Sequence, residues 1–126
     1  MSTILRGYTL TQNELNLQSF GLPIELKPSK GNRTDFLIEI TDKDFKDFNG
    51  QVMDTIAFLT ANQVQLVELK NKIPDINWEI DYGYNTKVAT GELAVEGLHL
   101  PVALLRLCSD LNIEILVSLY DGKLFG

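Results

Sequence analysis

The sequence predicts an α+β fold: an antiparallel sheet with two helices packed on one of its faces. Three observations point there. Residues 35–40, 76–84 and 113–120 alternate apolar with polar side chains, the period of a strand with one dry face. Residues 45–59 and 101–111 space their apolar side chains three and four apart, which gathers them on one side of a helix. The second of these helices runs almost directly into the last strand, a return that suits a helix covering the sheet it leads into.

Residues 1–34 are the least regular. The stretch from Thr3 to Leu10 has the length of a short strand, but Gly21, Pro23, Pro28 and Gly31 interrupt the residues after it, and the whole segment reads as an irregular arm or cover. Within it, residues 15–23 suit a helical turn ended by Gly21 and Pro23, and residues 28–34 a turn-rich loop. From Asp35 the pattern sharpens, with Phe36, Ile38 and Ile40 alternating against Asp35 and Glu39. Thr41 or Asp42 can cap the next helix, Asp44 completing a Thr-x-x-Asp box, and Asn49 before Gly50 is a second candidate cap. Phe45, Phe48, Val52, Ile56 and Leu59 then share a helical face. Asn62 and Gln63 interrupt that stripe and Leu66, Leu69 and Ile73 restart it, so a kink or a second short helix is expected before Pro74.

Ile76, Trp78, Ile80, Tyr82 and Tyr84 form the apolar side of the cleanest strand, opposite Asn77, Glu79, Asp81 and Gly83. Asn85 and Thr86 can turn the chain into a weaker strand over 87–96, with Gly91 as a bulge. Pro101 suits the first turn of the final helix, whose Leu104, Leu107, Cys108 and Leu111 share a face, and Asn112 can end it in the left-handed conformation. Ile113, Ile115, Val117 and Leu119 make one side of the last strand, and Glu114, Ser118 and Tyr120 belong to the other. Strand, helix, strand, strand, helix, strand is the ferredoxin-like βαββαβ order.

The totals narrow the function. A chain of 126 residues, 44% apolar, can bury one continuous core and is too short for two ordinary domains, so residues 1–126 are expected to form a single one. Its 17 acidic residues outweigh 11 basic ones, and the basic ones are scattered, which argues against nucleic acid as a partner. No apolar run approaches the length of a membrane span or signal peptide, and Cys108 has no cysteine to pair with, so a reducing cytoplasm is the expected setting.

Catalytic constellations are missing. His99 stands alone at a helix entrance, and Asp42, Asp44 and Asp47 lack the fifth and sixth positions of a calcium loop, where this chain has Lys46 and Asp47. No serine has a nucleophile-elbow context, and no phosphate-binding glycine loop occurs. Cys108 falls in an apolar stripe and is read as buried and inert. No catalytic residue, metal ligand or cofactor is therefore assigned. The collective feature is acidic: Glu39, Glu79, Asp81, Glu92, Glu96 and Glu114 should project from the sheet side that the helices leave bare, near Ser118 and Tyr120, while Trp78, Tyr82 and Tyr84 point into the core.

At DYGYNTKVATGE and LPVALLRLCSDLNIEILVSLY the chain resembles a loose group of small, uncharacterised bacterial cytosolic proteins that end in a Leu-Pro-x-x-Leu helix followed by an Ile-x-Ile-x-x-Ser-x-Tyr strand. The resemblance covers the second half and implies a bacterial origin and a compact α+β fold, with no activity attached. Size and charge add an analogy with immunity or accessory proteins. The expected function is a non-enzymatic protein-binding module that meets a basic partner through Glu39, Glu79, Asp81 and Glu114. The alternative is a small-ligand sensor or regulatory domain. A homodimer through a strand edge or the sheet face fits the same pattern.

Overall fold

The structure, a computed structural model, describes residues 1–10, 17–27, 31–88 and 91–121. Among these, the chain forms strands β1 (Thr3–Thr9), β2 (Glu25–Lys27), β3 (Thr34–Thr41), β4 (Asn77–Thr86) and β5 (Glu114–Asp121). The helices are α1 (Phe48–Ala61), α2 (Gln63–Lys72) and α3 (Val102–Asp110), with a 3-10 turn at Leu17–Phe20. The strands form one open sheet in the order β2-β3-β1-β4-β5, antiparallel at every pairing except β4 with β5.

This topology explains why the helices share a side. β3 and β4 both run antiparallel to the strand between them, so they are parallel to each other and need a crossover, which α1 and α2 supply. β4 and β5 are parallel neighbours joined through α3. Both crossovers advance in the same direction across the sheet. Such connections share one hand, so their helices land on the same face and, among the described residues, no helix covers the other.

The α+β class is therefore found, but the ferredoxin-like order is not. The expected strand over 87–96 is absent as such: a turn begins at Lys87, and Glu92, Leu93, Ala94 and Val95 are all exposed, Val95 at 82%. Residues 89 and 90 of that segment lie outside the described residues. The physical reason is that β4 already has β1 on one side and β5 on the other, so the residues that follow it cannot fold back onto it as a hairpin strand. The second correction concerns residues 1–34, which are not merely a cover. β1 takes the central place in the sheet, and its Thr3 and Leu5 are fully buried. The expected helical turn is the one found at Leu17–Phe20, ended by Gly21 at φ 75°. Residues 15–16 and 28–30, which carried part of the expected turn and loop, lie outside the described residues.

The core is built on one row of side chains. Ile38, Leu5, Ile80 and Ile115 stand side by side across four strands. In the next row Gly7 lies between Phe36 and Trp78, and a Cβ there would come within 2.9 Å of both the Phe36 ring and the Trp78 Cβ. Glycine lets the two aromatic side chains close over β1. Against this floor α1 presses Phe48, Val52, Thr55 and Leu59. Its cap is Asp47, whose carboxylate accepts from the Gly50 N–H at 2.8 Å, so the helix begins between the two expected starts. Phe45 falls outside it and off the expected stripe.

Polar groups pin the layers together. Gln51 on α1 is fully buried; its Nε2 donates to Gly83 O at 2.8 Å and its Oε1 accepts from the Thr3 hydroxyl at 2.7 Å, tying the helix to β4 and β1. The expected break between α1 and α2 falls at Asn62, whose backbone N–H and side-chain Nδ2 both donate to Phe58 O. Asn112, at φ 52°, ends the last helical segment as expected, and Trp78 Nε1 donates to Leu111 O beside it at 2.9 Å.

Truncating Leu5 separates a central β1 from a loose arm. Leu5→Ala should lower the unfolding free energy in a urea titration by about 2–5 kcal/mol, the cost of a cavity in a packed core, and a loss below about 1 kcal/mol would contradict the placement of β1.

Candidate functional site

Strand alternation decides what the bare face carries. Outward from β1 come Ile4, Arg6 and Tyr8. Register sets Arg6 between Leu37 and Glu79, with Glu114 beyond Glu79; one row on, Ile4 lies between Glu39 and Asp81, with Leu116 beyond. The four carboxylates singled out from the sequence, Glu39, Glu79, Asp81 and Glu114, thus lie on one face.

They are not equivalent. Arg6 Nη2 is 2.9 Å from Glu79 Oε1 and Nη1 is 3.3 Å from Asp81 Oδ2, while Nε also donates to Glu79 at 2.9 Å. The Ser118 hydroxyl donates to Asp81 Oδ1 at 2.7 Å. Glu79 and Asp81 are thereby committed to neighbours. Glu39 and Glu114 are exposed and belong to none of the described ion pairs. The negative potential of the face therefore concentrates at its flanks, with a cation at its centre. Because Arg6 is well exposed, its pairs are screened by water and organise charge more than they stabilise the fold.

Arg6 is missing from the set of residues that the sequence singles out, because residues 1–34 read as an arm. A signal for it exists: in TILRGYT the odd-numbered Thr3, Leu5, Gly7 and Thr9 alternate with Ile4, Arg6 and Tyr8. Two expected members of the acidic face lie elsewhere. Glu96 accepts hydrogen bonds from the Tyr84 hydroxyl, the Thr86 hydroxyl and the Lys87 N–H, which fastens the long connection before α3 to the end of β4. Glu92 is exposed on that same connection.

Both ends of the face are shaped by side chains that cross it. At one, the Phe45 ring packs over Gly83 and meets Tyr120 edge-on, the ring centroids 5.7 Å apart. A side chain on residue 83 would displace that ring. At the other, Arg33 lies 4.2 Å from the centre of the Tyr8 ring and holds Asp35 at 2.7 Å. Between Arg33 and β5 is a shallow concavity of about 650 Å³, lined among others by Arg6, Tyr8, Asn77, Glu79 and Glu114.

Other candidates for chemistry have structural places. Asp44 accepts from the Lys46 N–H and Asp47 caps α1. Among the described residues no group of three or more His, Cys, Asp or Glu side chains comes together in a way that could hold a metal ion. His99 is exposed ahead of α3. Tyr82 is fully buried and its hydroxyl has no hydrogen-bond partner among the described residues; burial raises its pKa, and Thr55, which opposes the shift, spends its own hydroxyl on Gln51 O. Burial also pushes the Cys108 thiol up to about 11, which keeps it protonated and unreactive at neutral pH.

No family model matches the chain, and comparison with curated proteins and with solved structures returns no match. No helix among the described residues is long and apolar enough to cross a membrane.

The buried thiol makes a pH prediction. The unfolded chain releases the Cys108 proton as pH passes 9.0, whereas the folded chain keeps it until about 11. Its contribution is therefore whole below pH 9 and is lost as pH rises through that window. In urea titrations the wild type should lose about 1–2 kcal/mol more than Cys108→Ala across it, and parallel losses in the two proteins would contradict burial of the thiol.

Proposed function

We propose that the chain is a non-enzymatic protein-binding module of the bacterial cytoplasm, of the immunity or accessory kind, that receives a basic surface of its partner on the helix-free face. One observation carries this reading: Glu39, Glu79, Asp81 and Glu114 share that face, and the outer two stand exposed with no cation paired to them among the described residues. A paired sheet offers a rigid platform, so a partner that binds there meets groups already in position and loses less freedom on association. Arg6 draws Glu79 and Asp81 into fixed orientations, which leaves Glu39 and Glu114 to steer a basic partner towards the face. A lone buried thiol suits a reducing compartment.

The concavity supports a second reading, a small-ligand sensor. Its volume is in the range of about 300–1,000 Å³ common to ligand pockets, and it brings Tyr8, Asn77 and a charged pair together. A thermal-shift screen against metabolites separates the readings, because a ligand that binds the folded state raises Tm by mass action.

The leading reading is tested by affinity capture from bacterial cytosol with the wild type and with Glu39→Lys/Glu114→Lys. The double variant should recover a basic partner about tenfold less efficiently at an almost unchanged Tm, since both positions are exposed. Equal recovery would remove this face as the contact.

A further inference from the structure

The carboxylates of the bare face are not equally spent. Asp81 uses both of its oxygens, Oδ2 on Arg6 and Oδ1 on the Ser118 hydroxyl. Arg6 reaches Glu79 through Nε and Nη2, but both meet the same oxygen, Oε1. Glu114 stands directly opposite Glu79 in the pairing of β4 with β5, is exposed, and belongs to none of the described ion pairs. Like charges opposed on neighbouring strands repel, and Arg6 neutralises only one of this pair. Glu79 and Glu114 both line the concavity, together with Asn77 and Asn112. The other cations that line it, Lys27 and Arg33, belong to its far end, beside Glu25 and Asp35. Its β4–β5 end therefore keeps a net negative charge.

The face already holds two guanidinium groups. Arg6 sets Nη2 on Glu79 and Nη1 on Asp81, one nitrogen to each of two carboxylates. Arg33 lies over the Tyr8 ring, and its Nε and Nη2 meet the two oxygens of Asp35. Both arrangements use the planar fork of arginine, which a lysine ammonium does not have.

We propose that the concavity seats an arginine side chain of the partner, its guanidinium bridging Glu79 and Glu114 as Arg6 bridges Glu79 and Asp81; the inference rests on the bare face being the contact with a basic partner. Neighbouring strands stand about 4.8 Å apart, so a guanidinium placed over the gap between β4 and β5 has a carboxylate on each side of it. The added cation relieves the repulsion across that gap. Arginine, unlike lysine, is also enriched among the residues that carry binding energy at protein interfaces.

The test is a nuclear magnetic resonance titration of the isotope-labelled full chain with two peptides, acetyl-Gly-Arg-Gly-amide and acetyl-Gly-Lys-Gly-amide. The arginine peptide should shift the amide resonances of residues 77–79 and 112–115 and bind at least about threefold more tightly than the lysine peptide, the scale of an exposed charge-assisted pair. Glu114→Gln should bring the two peptides level, whereas Glu92→Gln, which removes the same charge from the connection before α3, should leave the preference in place. Equal affinity of the wild type for both peptides, with shifts on the bare face, would overturn the inference and leave that face as the contact. So would an equal effect of the two substitutions. Shifts confined to another surface would contradict both the inference and the face. No shift with either peptide at millimolar concentration would overturn the inference alone, because capture of a partner tests the face separately.

Discussion

The structure depends on β1 being held antiparallel between two strands that are parallel to each other. Leu5 closes the gap between Ile38 and Ile80, completing a four-strand row in the sheet against which α1 and α3 pack. Remove it and β3 and β4 have no common neighbour, so the crossover through α1 and α2 has nothing to span. Gln51, reaching from α1 to Thr3 and Gly83, fastens the same three elements from above with hydrogen bonds that would be costly to break in a buried site.

One-sided helices result from that arrangement, and so does the character of the exposed face. A sheet covered on one side sends alternate residues to water, which leaves the acidic positions of β3, β4 and β5 together by register rather than by proximity in sequence. β1 then contributes a cation at the centre, Arg6. Arg6 turns an expected field of mutual repulsion into a neutralised middle with charged flanks, and Phe45 and Arg33, folding over opposite ends, give the surface its limits.

Local pattern is enough for much of this. Period-two alternation locates β3, β4 and β5 and places Glu39, Glu79, Asp81 and Glu114 on one face, because facing is a property of strand parity alone. The break at Asn62 and the left-handed Asn112 are legible for the same reason: each is decided within a few residues. Long-range choices are not. In β1, Arg6 and Gly7 dilute the alternation, and Gly7 makes sense only once Phe36 and Trp78 are seen on either side of it. Leu93 and Val95 imitate a strand, yet β4, which they would have to pair back onto, already has β1 on one side and β5 on the other. Phe45 keeps helical spacing with Phe48 but precedes the Asp47 cap, and so turns to the opposite side of the sheet. Whether β5 pairs parallel or antiparallel to β4 is likewise set by the connection, not by the strand's own residues.

Native-state amide hydrogen exchange tests the central placement most directly. A strand paired on both sides should hold its amides until the whole molecule unfolds, so the N–H groups of Leu5, Arg6 and Gly7 should exchange as slowly as those of Ile80 and Tyr82. Exchange of the β1 amides at rates typical of an exposed segment, with β4 still protected, would contradict it.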